Sequence, residues 1–349
     1  MNDPVRNLEG RARRLQRAAV VVDTVNRAVL DDRFFRDVRR GGITAIGRTI
    51  LVSKTDVFSP FGFLETLREI TAVRDVIDAH SDRLLLIRSG EDIALAKATD
   101  RVGIYVYFQS PEPLERQLWR LRLFYDLGLR VLQLTYNQRG YLGDGCAERA
   151  NGGLSDLGVS VIAECERLGI AVDVSHCGDQ TTMEALEAAT RPVLMTHAMA
   201  RALCDNRRCK TDEQIRRCAA TGGVIGIQAL PAFVKASPNP TVEDMLDHVD
   251  YMSRLVGVEH VGLGLDLTTG HERDDFGQLG YKPEMYRGVW VKGVQQSIPG
   301  MHSLADVPRI TRGLLGRGYS DADVMGILGG NFARVLTELW RPASGVAAR

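Results

Sequence analysis

Short apolar, β-rich runs recur along this chain, and most are separated by a helical pattern. They fall at residues 18–23 (AAVVVD), 43–49 (ITAIGRT), 83–89 (RLLLIRS), 102–109 (VGIYVYFQ) and 131–136 (VLQLTY). The series continues at 171–176 (AVDVSH), 192–197 (PVLMTH), 223–230 (GVIGIQAL) and 260–266 (HVGLGLD). Strands apolar on both faces belong in a sheet covered on both sides, and helices between them imply parallel crossovers. Between 60 and 80, Phe63, Leu67, Ile70, Val73 and Ile77 share one helical face; residues 155–169 and 241–257 read the same way. Nine runs exceed a (β/α)8 barrel by one, and 83–89 is the accessory run. An open doubly wound sheet is the alternative, but no glycine-rich phosphate fingerprint follows the first strand. The expected fold is α/β, a TIM-like (β/α)8 barrel.

One domain over residues 1–349 accounts for the chain. A first helix covers one end of the fold, and a glycine- and charge-rich segment at about 267–305 forms a long loop over the barrel mouth. Residues 320–340 form a capped helix, a glycine turn and a final helix. At 349 residues, 44% of them hydrophobic, the chain can bury one large core. Lys+Arg and Asp+Glu balance at 44 each, which gives no electrostatic case for nucleic acid or an anionic membrane. The apolar stretch Ala18 to Val22 after the N-terminal arginines is too short for an export signal and leads into a strand. No run approaches the roughly 20 apolar residues of a membrane span. Six cysteines without a CxxC pair suit a reducing compartment. The expectation is a cytoplasmic protein.

Several of the runs end in a polar residue: Asp23, Tyr136, His176, His197 and Asp266. Carboxyl ends of strands are where a barrel builds its active site. His176 and His197 on neighbouring strands can face a common centre, and imidazole is a common zinc ligand. Two histidines alone are a weak signal, since a strand-end histidine is more often a satisfied hydrogen-bonding group. The blocks around them are more specific. LGIAVDVSH, RPVLMTHAMARALCDNRR, TDEQIRRCAATGGVIGIQALPAF, HVGLGLD and GILGGNFARVL resemble, in order and spacing, the renal (membrane) dipeptidase family of zinc peptidases. The resemblance runs from about residue 19 to 340.

That resemblance implies a barrel of metal-dependent-hydrolase type, with two zinc ions bridged by a glutamate and a metal-bound hydroxide as nucleophile. His176 and His197 match the histidine ligands of the second zinc. Arg208 matches the clamp for the substrate's carboxylate, a task suited to a planar guanidinium. Asp266 matches the acid/base at the leaving amine. Other positions depart from the pattern. The family's first strand ends Asp-x-His-x-Asp, whereas here Asp23 and Asn26 keep the register while Val25 and Arg27 fill the ligand positions. Gln109 stands at the bridging glutamate and Tyr136 at the substrate-polarising histidine. Valine offers no lone pair, and arginine brings a fixed positive charge to a cation site.

His80 and Asp82 look like the missing ligand pair, but they precede an apolar run instead of following one, so they read as a helix end. A third ligand for a surviving zinc would be Asp266, His271 or Cys177; His271 reads as a loop residue and Cys177 as a packed side chain. His248 and His302 read as exposed, and His260 as the start of a strand on the amino-terminal side.

Three functions remain open. One is a dipeptide or amide hydrolase with at most one zinc on His176 and His197. Another is a metal-free enzyme on a small amino-acid-derived carboxylate, with Asp266, Tyr136, His176 and His197 as acids and bases. Its substrate would be held by Arg208, Arg27, Gln109 and Asp23. The last is a non-catalytic binding paralogue. The metal-free enzyme is favoured, and the family's habit suggests a homodimer.

Overall fold

The apolar runs form strands and the amphipathic ones helices in a computed structural model, described over residues 4–50, 62–237, 239–269 and 297–342. The order begins α1 (Pro4–Ala18), β1 (Val22–Asn26), α2 (Asp32–Gly41), β2 (Ala45–Ile50), α3 (Phe63–Ala79), β3 (Leu84–Leu86), α4 (Gly90–Ala98) and β4 (Val102–Phe108). Next come α5 (Arg120–Asp126), β5 (Leu129–Gln133), α6 (Asp156–Leu168), β6 (Ala171–Asp173), α7 (Asp179–Ala188) and α8 (Asp212–Ala220). The series ends with β7 (Ile225–Ile227), α9 (Pro231–Val234), α10 (Val242–Val256), β8 (Val261–Leu263), α11 (Val307–Gly316), α12 (Asp321–Met325) and α13 (Asn331–Leu339). Local chemistry sets the helix ends. Ser155 caps α6 by accepting from the Gly158 amide, and Gly169 ends it at φ 85°, a conformation glycine adopts without strain. Thr211 and Thr241 open α8 and α10 with capping boxes.

All strand pairings are parallel. β1, β2, β4, β5 and β6 pair in that order, and β7 pairs with β8. Single bridges complete the ring: Asp173 to Leu194, Met195 to Ile225 and Asn26 to Leu267. The result is an eight-staved α/β barrel in which residues 194–195 supply one stave. β3 pairs only with β4, off the ring, which is the accessory place expected for 83–89. The strand expected over 192–197 is shorter because side chains capture its amides: Thr196 N donates to Asp173 Oδ1 and His197 N to Ser175 Oγ. Glycine lets the staves close around this segment. A Cβ on either Gly226 or Gly264 would collide with the Thr196 carbonyl.

His248 corrects an expectation. It is fully buried, with Nδ1 accepting from Ala200 N and Nε2–H donating to the Val234 carbonyl, so it is an internal strut tying α10 to the end of α9 and to the loop at Ala200. His302 is exposed, and His260 ends a short 3-10 turn just before β8. All six cysteines are buried, and none is in a disulfide. Among the described residues no helix is long and apolar enough to cross a membrane. Most of the loop expected at 267–305, with His271, lies outside the described residues.

Candidate active site

Strand β6 ends on Asp173, and three residues later His176 reaches the carboxyl end of the barrel; His197 arrives beside it from the 194–195 stave. Their Nε2 atoms stand 2.8 Å apart, with the rings 4.9 Å between centroids. Each imidazole is held from behind. His176 Nδ1–H donates to Asn137 Oδ1 at 2.7 Å, and His197 Nδ1 pairs with Thr196 Oγ1 at 2.8 Å. Thr196 Oγ1–H in turn donates to Asp173 Oδ2 at 2.7 Å. Asp173 is fully buried and accepts five bonds, from Ser175 N, Ser175 Oγ, Thr196 N, Thr196 Oγ1 and Tyr107 Oη. The carboxylate thus fixes both histidine-bearing turns at once.

This network has a proton problem. Thr196 carries one hydroxyl proton, and it faces two acceptors. When that proton goes to Asp173, His197 Nδ1 must be the protonated nitrogen, and both Nε2 lone pairs then face each other. Two lone pairs at 2.8 Å repel, so that arrangement calls for a proton or another cation between them; with Thr196 donating to His197 Nδ1 instead, His197 Nε2–H donates to His176 Nε2 and both rings stay neutral. Free charge on the rings is disfavoured: burial, and then the Arg208 guanidinium, hold both imidazoles well below the usual histidine range.

Two buried cations tie the same turns together. Arg208 donates to the carbonyls of Ser175 at 2.7 Å and His197 at 2.8 Å. Lys210 donates to Val174 O, Cys177 O and Thr182 Oγ1, and burial pulls its pKa down to about 8. Two of the nitrogens of Arg208 are therefore engaged with backbone, while its buried Nε has no partner among the described residues.

Across the mouth, β8 leads into Asp266, a half-buried residue at φ 55° whose amide donates to the Val25 carbonyl. A non-glycine residue in the left-handed region costs energy, and such strain tends to gather at functional sites. Burial pushes the Asp266 carboxyl up to about 7, against the pull of Arg208 and Arg27. Asp23 is raised to about 6 by burial, and its oxygens accept from Leu265 N at 2.8 Å and Asn26 Nδ2 at 3.0 Å. It joins β1 to β8. Val25 is fully buried, and Arg27 is half-buried, close enough to Asp266 for its charge to be felt there. Gln109 points at the pair, its Nε2 3.3 Å from His197 Nε2. Tyr136 stacks on His176 with the ring centroids 4.6 Å apart at 19°.

Among the described residues, no three His, Cys, Asp or Glu side chains converge as a metal-binding set. Burial pushes the Cys177 thiol up to about 11. His80 caps the carboxyl end of α3, where its Nδ1 meets Arg83, and Asp82 is exposed, so that pair lies away from the mouth. The residues that sequence pattern did not single out are Asn137, Asp173, Thr196, Lys210 and Gln228. Asp173 carried a signal, since it sits at a strand end three residues before His176. Gln228, just past β7, carried none; it is fully buried, and neither polar atom of its amide has a partner among the described residues.

The family model for membrane dipeptidases, a peptidase family, matches residues 10–279. The chain belongs to that family. A dipeptidase from Claviceps purpurea is 25% identical over 278 residues, covering 79% of this chain and 60% of that protein. The chain thus spans about three fifths of the length of the curated relatives it matches. A solved amidohydrolase from Pseudomonas aeruginosa is 32% identical, with a TM-score of 0.86, covering 94% of this chain and 99% of the other. A metallo peptidase from Rhodobacter sphaeroides, solved with a phosphinate mimic of the dipeptide L-Ala-D-Ala, superposes at a TM-score of 0.77 with 19% identity. It covers 92% of this chain and 99% of that one, and shows the shared barrel alone.

Proposed function

We propose that this member of the dipeptidase family is an enzyme acting on a small dipeptide-like or amino-acid-derived carboxylate. In this reading it works by acid/base chemistry, without the family's two-zinc centre. The observation that carries it is the pairing of Asp266, a carboxyl poised near 7, with two neutral imidazoles across one mouth. A group whose pKa lies near the working pH is the most effective proton carrier. The family's two zincs do not fit the residues present. Val25 has no donor atom, Arg27 is cationic, and Gln109 is a neutral amide where a bridging carboxylate would be needed.

In this reading Asp266 moves the proton at the reacting nitrogen or carbon. The histidine pair takes or returns the second one through Nε2, relayed to Thr196 and Asp173. Arg27 holds the substrate carboxylate beside Asp266, while Arg208 keeps the turns that carry Ser175 and His197 in place. The unpartnered Gln228 amide meets a polar group of the substrate, since a buried amide left without partners costs a few kcal/mol.

One observation favours a second reading, a hydrolase with one zinc on His176 and His197. Both imidazoles are anchored at Nδ1 and turn Nε2 inward, as metal-bound histidines do, and the proton count leaves room for a cation between them. Elemental analysis of protein purified without chelator, beside a screen of dipeptides and N-acyl amino acids, separates the two. Turnover that survives chelation and falls about 100-fold or more in Asp266→Asn supports the metal-free enzyme. Turnover that needs one equivalent of zinc overturns it in favour of the second. No turnover and no metal would leave the binding paralogue.

A further inference from the structure

At the opposite end of the barrel, where the strands begin, α1, α2 and α4 border a solvent-open cavity of about 640 Å³. Its floor is the start of β2 and β4, at Ile43, Thr44 and Val102. Six cationic side chains line it: Arg17, Arg36, Arg39, Arg83, Lys97 and Arg101. Two lining carboxylates, Asp32 and Asp100, stand against them, and Asp82 pairs with Arg83 at 3.8 Å. The chain as a whole is electrically balanced, so this is a local segregation of charge.

We propose that this cavity binds a small molecule carrying two or more phosphate groups. Arg17, Arg36 and Arg39 have no ion-pair partner among the described residues. Some surface arginines elsewhere are ion-paired, as with Arg11 and Asp321 or Arg317 with three carboxylates, and others such as Arg68, Arg216 and Arg254 have no ion-pair partner among the described residues; what sets this cavity apart is that several cations line one concavity. Unpaired like charges lining one concavity repel one another, and a bound polyanion removes that cost. Guanidinium groups match phosphate oxygens in a bidentate fashion, which a lysine-lined surface would not. Arg83 is already oriented, its guanidinium 3.9 Å above the Phe35 ring, and Arg101 is held by Thr99 Oγ1 and the Ser81 carbonyl. The cavity has the volume of an ordinary ligand pocket, about 300–1,000 Å³. A second cavity of about 430 Å³ shares Arg17 and Arg39 and adds Arg13 and Arg40, together with the ion pairs Arg309–Asp306 and Arg312–Glu9.

A structural explanation covers part of this cluster. Arg17, Arg39 and Lys97 lie in the last turns of α1, α2 and α4, where a cation offsets the helix dipole, and Lys97 Nζ donates to the Arg17 carbonyl. Arg36, Arg83 and Arg101 have no such duty. The cavity is far in the fold from the histidine pair, since it lies at the amino ends of the strands that carry the active site at their other ends. Its ligand is therefore distinct from the substrate.

Isothermal titration with inorganic triphosphate, ATP and adenosine decides the matter. Saturable binding of triphosphate or ATP, with none of adenosine, is expected. It should weaken from 50 to 200 mM salt and fall about tenfold or more in Arg36→Gln/Arg39→Gln. ATP binding more tightly than triphosphate would point to a nucleotide, and equal binding to an inorganic or sugar-linked polyphosphate. No saturation up to about 1 mM, or undiminished binding in the double variant, would overturn the proposal, as would binding to phosphatidylserine vesicles alone. Circular dichroism checks the fold of each variant. Should the double variant fail to fold, Arg36→Gln alone, an exposed unpaired residue, is expected to lose about threefold or more.

Discussion

The two halves of the barrel mouth are built differently. The half made by β6 and residues 194–197 is wired into the barrel: His176 and His197 connect through Asn137, Thr196 and Asp173, and Arg208 and Lys210 tie the same turns by their carbonyls. The half made by β1, β4 and β5 presents Val25, Arg27, Gln109 and Tyr136. There the Gln109 amide meets the histidine pair, and Tyr136 is stacked on His176. The difference teaches that supporting contacts and the groups they support can be separated. The wired half keeps its imidazoles aimed inward whether or not an ion or a proton joins them. The other half brings Val25, Arg27, Gln109 and Tyr136 to the same frame.

The strongest way to break this contrast is to remove its anchor. Asp173→Ala takes a shared acceptor from five donors in a buried site and strands the Ser175 and Thr196 amides, while Tyr107 Oη keeps Gln133 and Thr196 Oγ1 keeps His197, so a loss of about 3–5 kcal/mol is expected in urea unfolding. A loss under about 1 kcal/mol would mean that the wired half does not depend on Asp173.

pH provides a second way. Asp266 and Asp23 have raised folded-state pKa values, so between about pH 4 and 7 the folded chain binds more protons than the unfolded one. Their contribution to stability therefore falls as pH rises through that window. The depressed histidines act with opposite sign: below their unfolded pKa near 6.5 the unfolded chain takes up protons first, so their contribution rises with pH. Asp266→Asn should make the stability of the variant climb more steeply with pH than that of the wild type. The difference should amount to a few kcal/mol across pH 4 to 7. Identical slopes would remove Asp266 from the set of poised groups.

A carboxylate at the other half tests what its neutral side chains exclude. Gln109→Glu places an oxygen donor next to His197 and completes a two-histidine, one-carboxylate set, so zinc retained after dialysis should bind about tenfold or more tightly than in the wild type. Equal affinity would show that Gln109 is not what limits metal binding. The smallest effect is expected at His80. His80→Ala should change neither zinc content nor, by more than about 1 kcal/mol, stability, because its ring touches Phe35 and Arg83 at a helix end. A loss of bound zinc would bring His80 and Asp82 back as ligands.

How much was legible follows from the range of each interaction. Alternating runs announced the barrel and the accessory β3, because both-face burial and helical period are local properties. The strand-end residues were visible for the same reason; that Val25, Arg27 and Gln109 stand where the family carries metal ligands rests on the resemblance alone. His248 misled because a helix with a mixed face does not say which side turns inward; packing against Val234 and Ala200 decided it. Strand 192–197 came out shorter because Asp173 and Ser175, some twenty residues earlier, take its amides.

By itself, then, the sequence determined the fold class, the family and the side chains available at the mouth, since each is written in residue type and period. Tertiary structure alone decided that two imidazoles meet at 2.8 Å, that Asp266 is recessed beside Arg27 and Arg208, and that Asp23 serves β8. It also gathered Arg17, Arg36, Arg39, Lys97 and Arg101 around one cavity. These outcomes join residues up to 242 positions apart, and burial and charge at such meetings depend on closing the barrel, which no local pattern encodes.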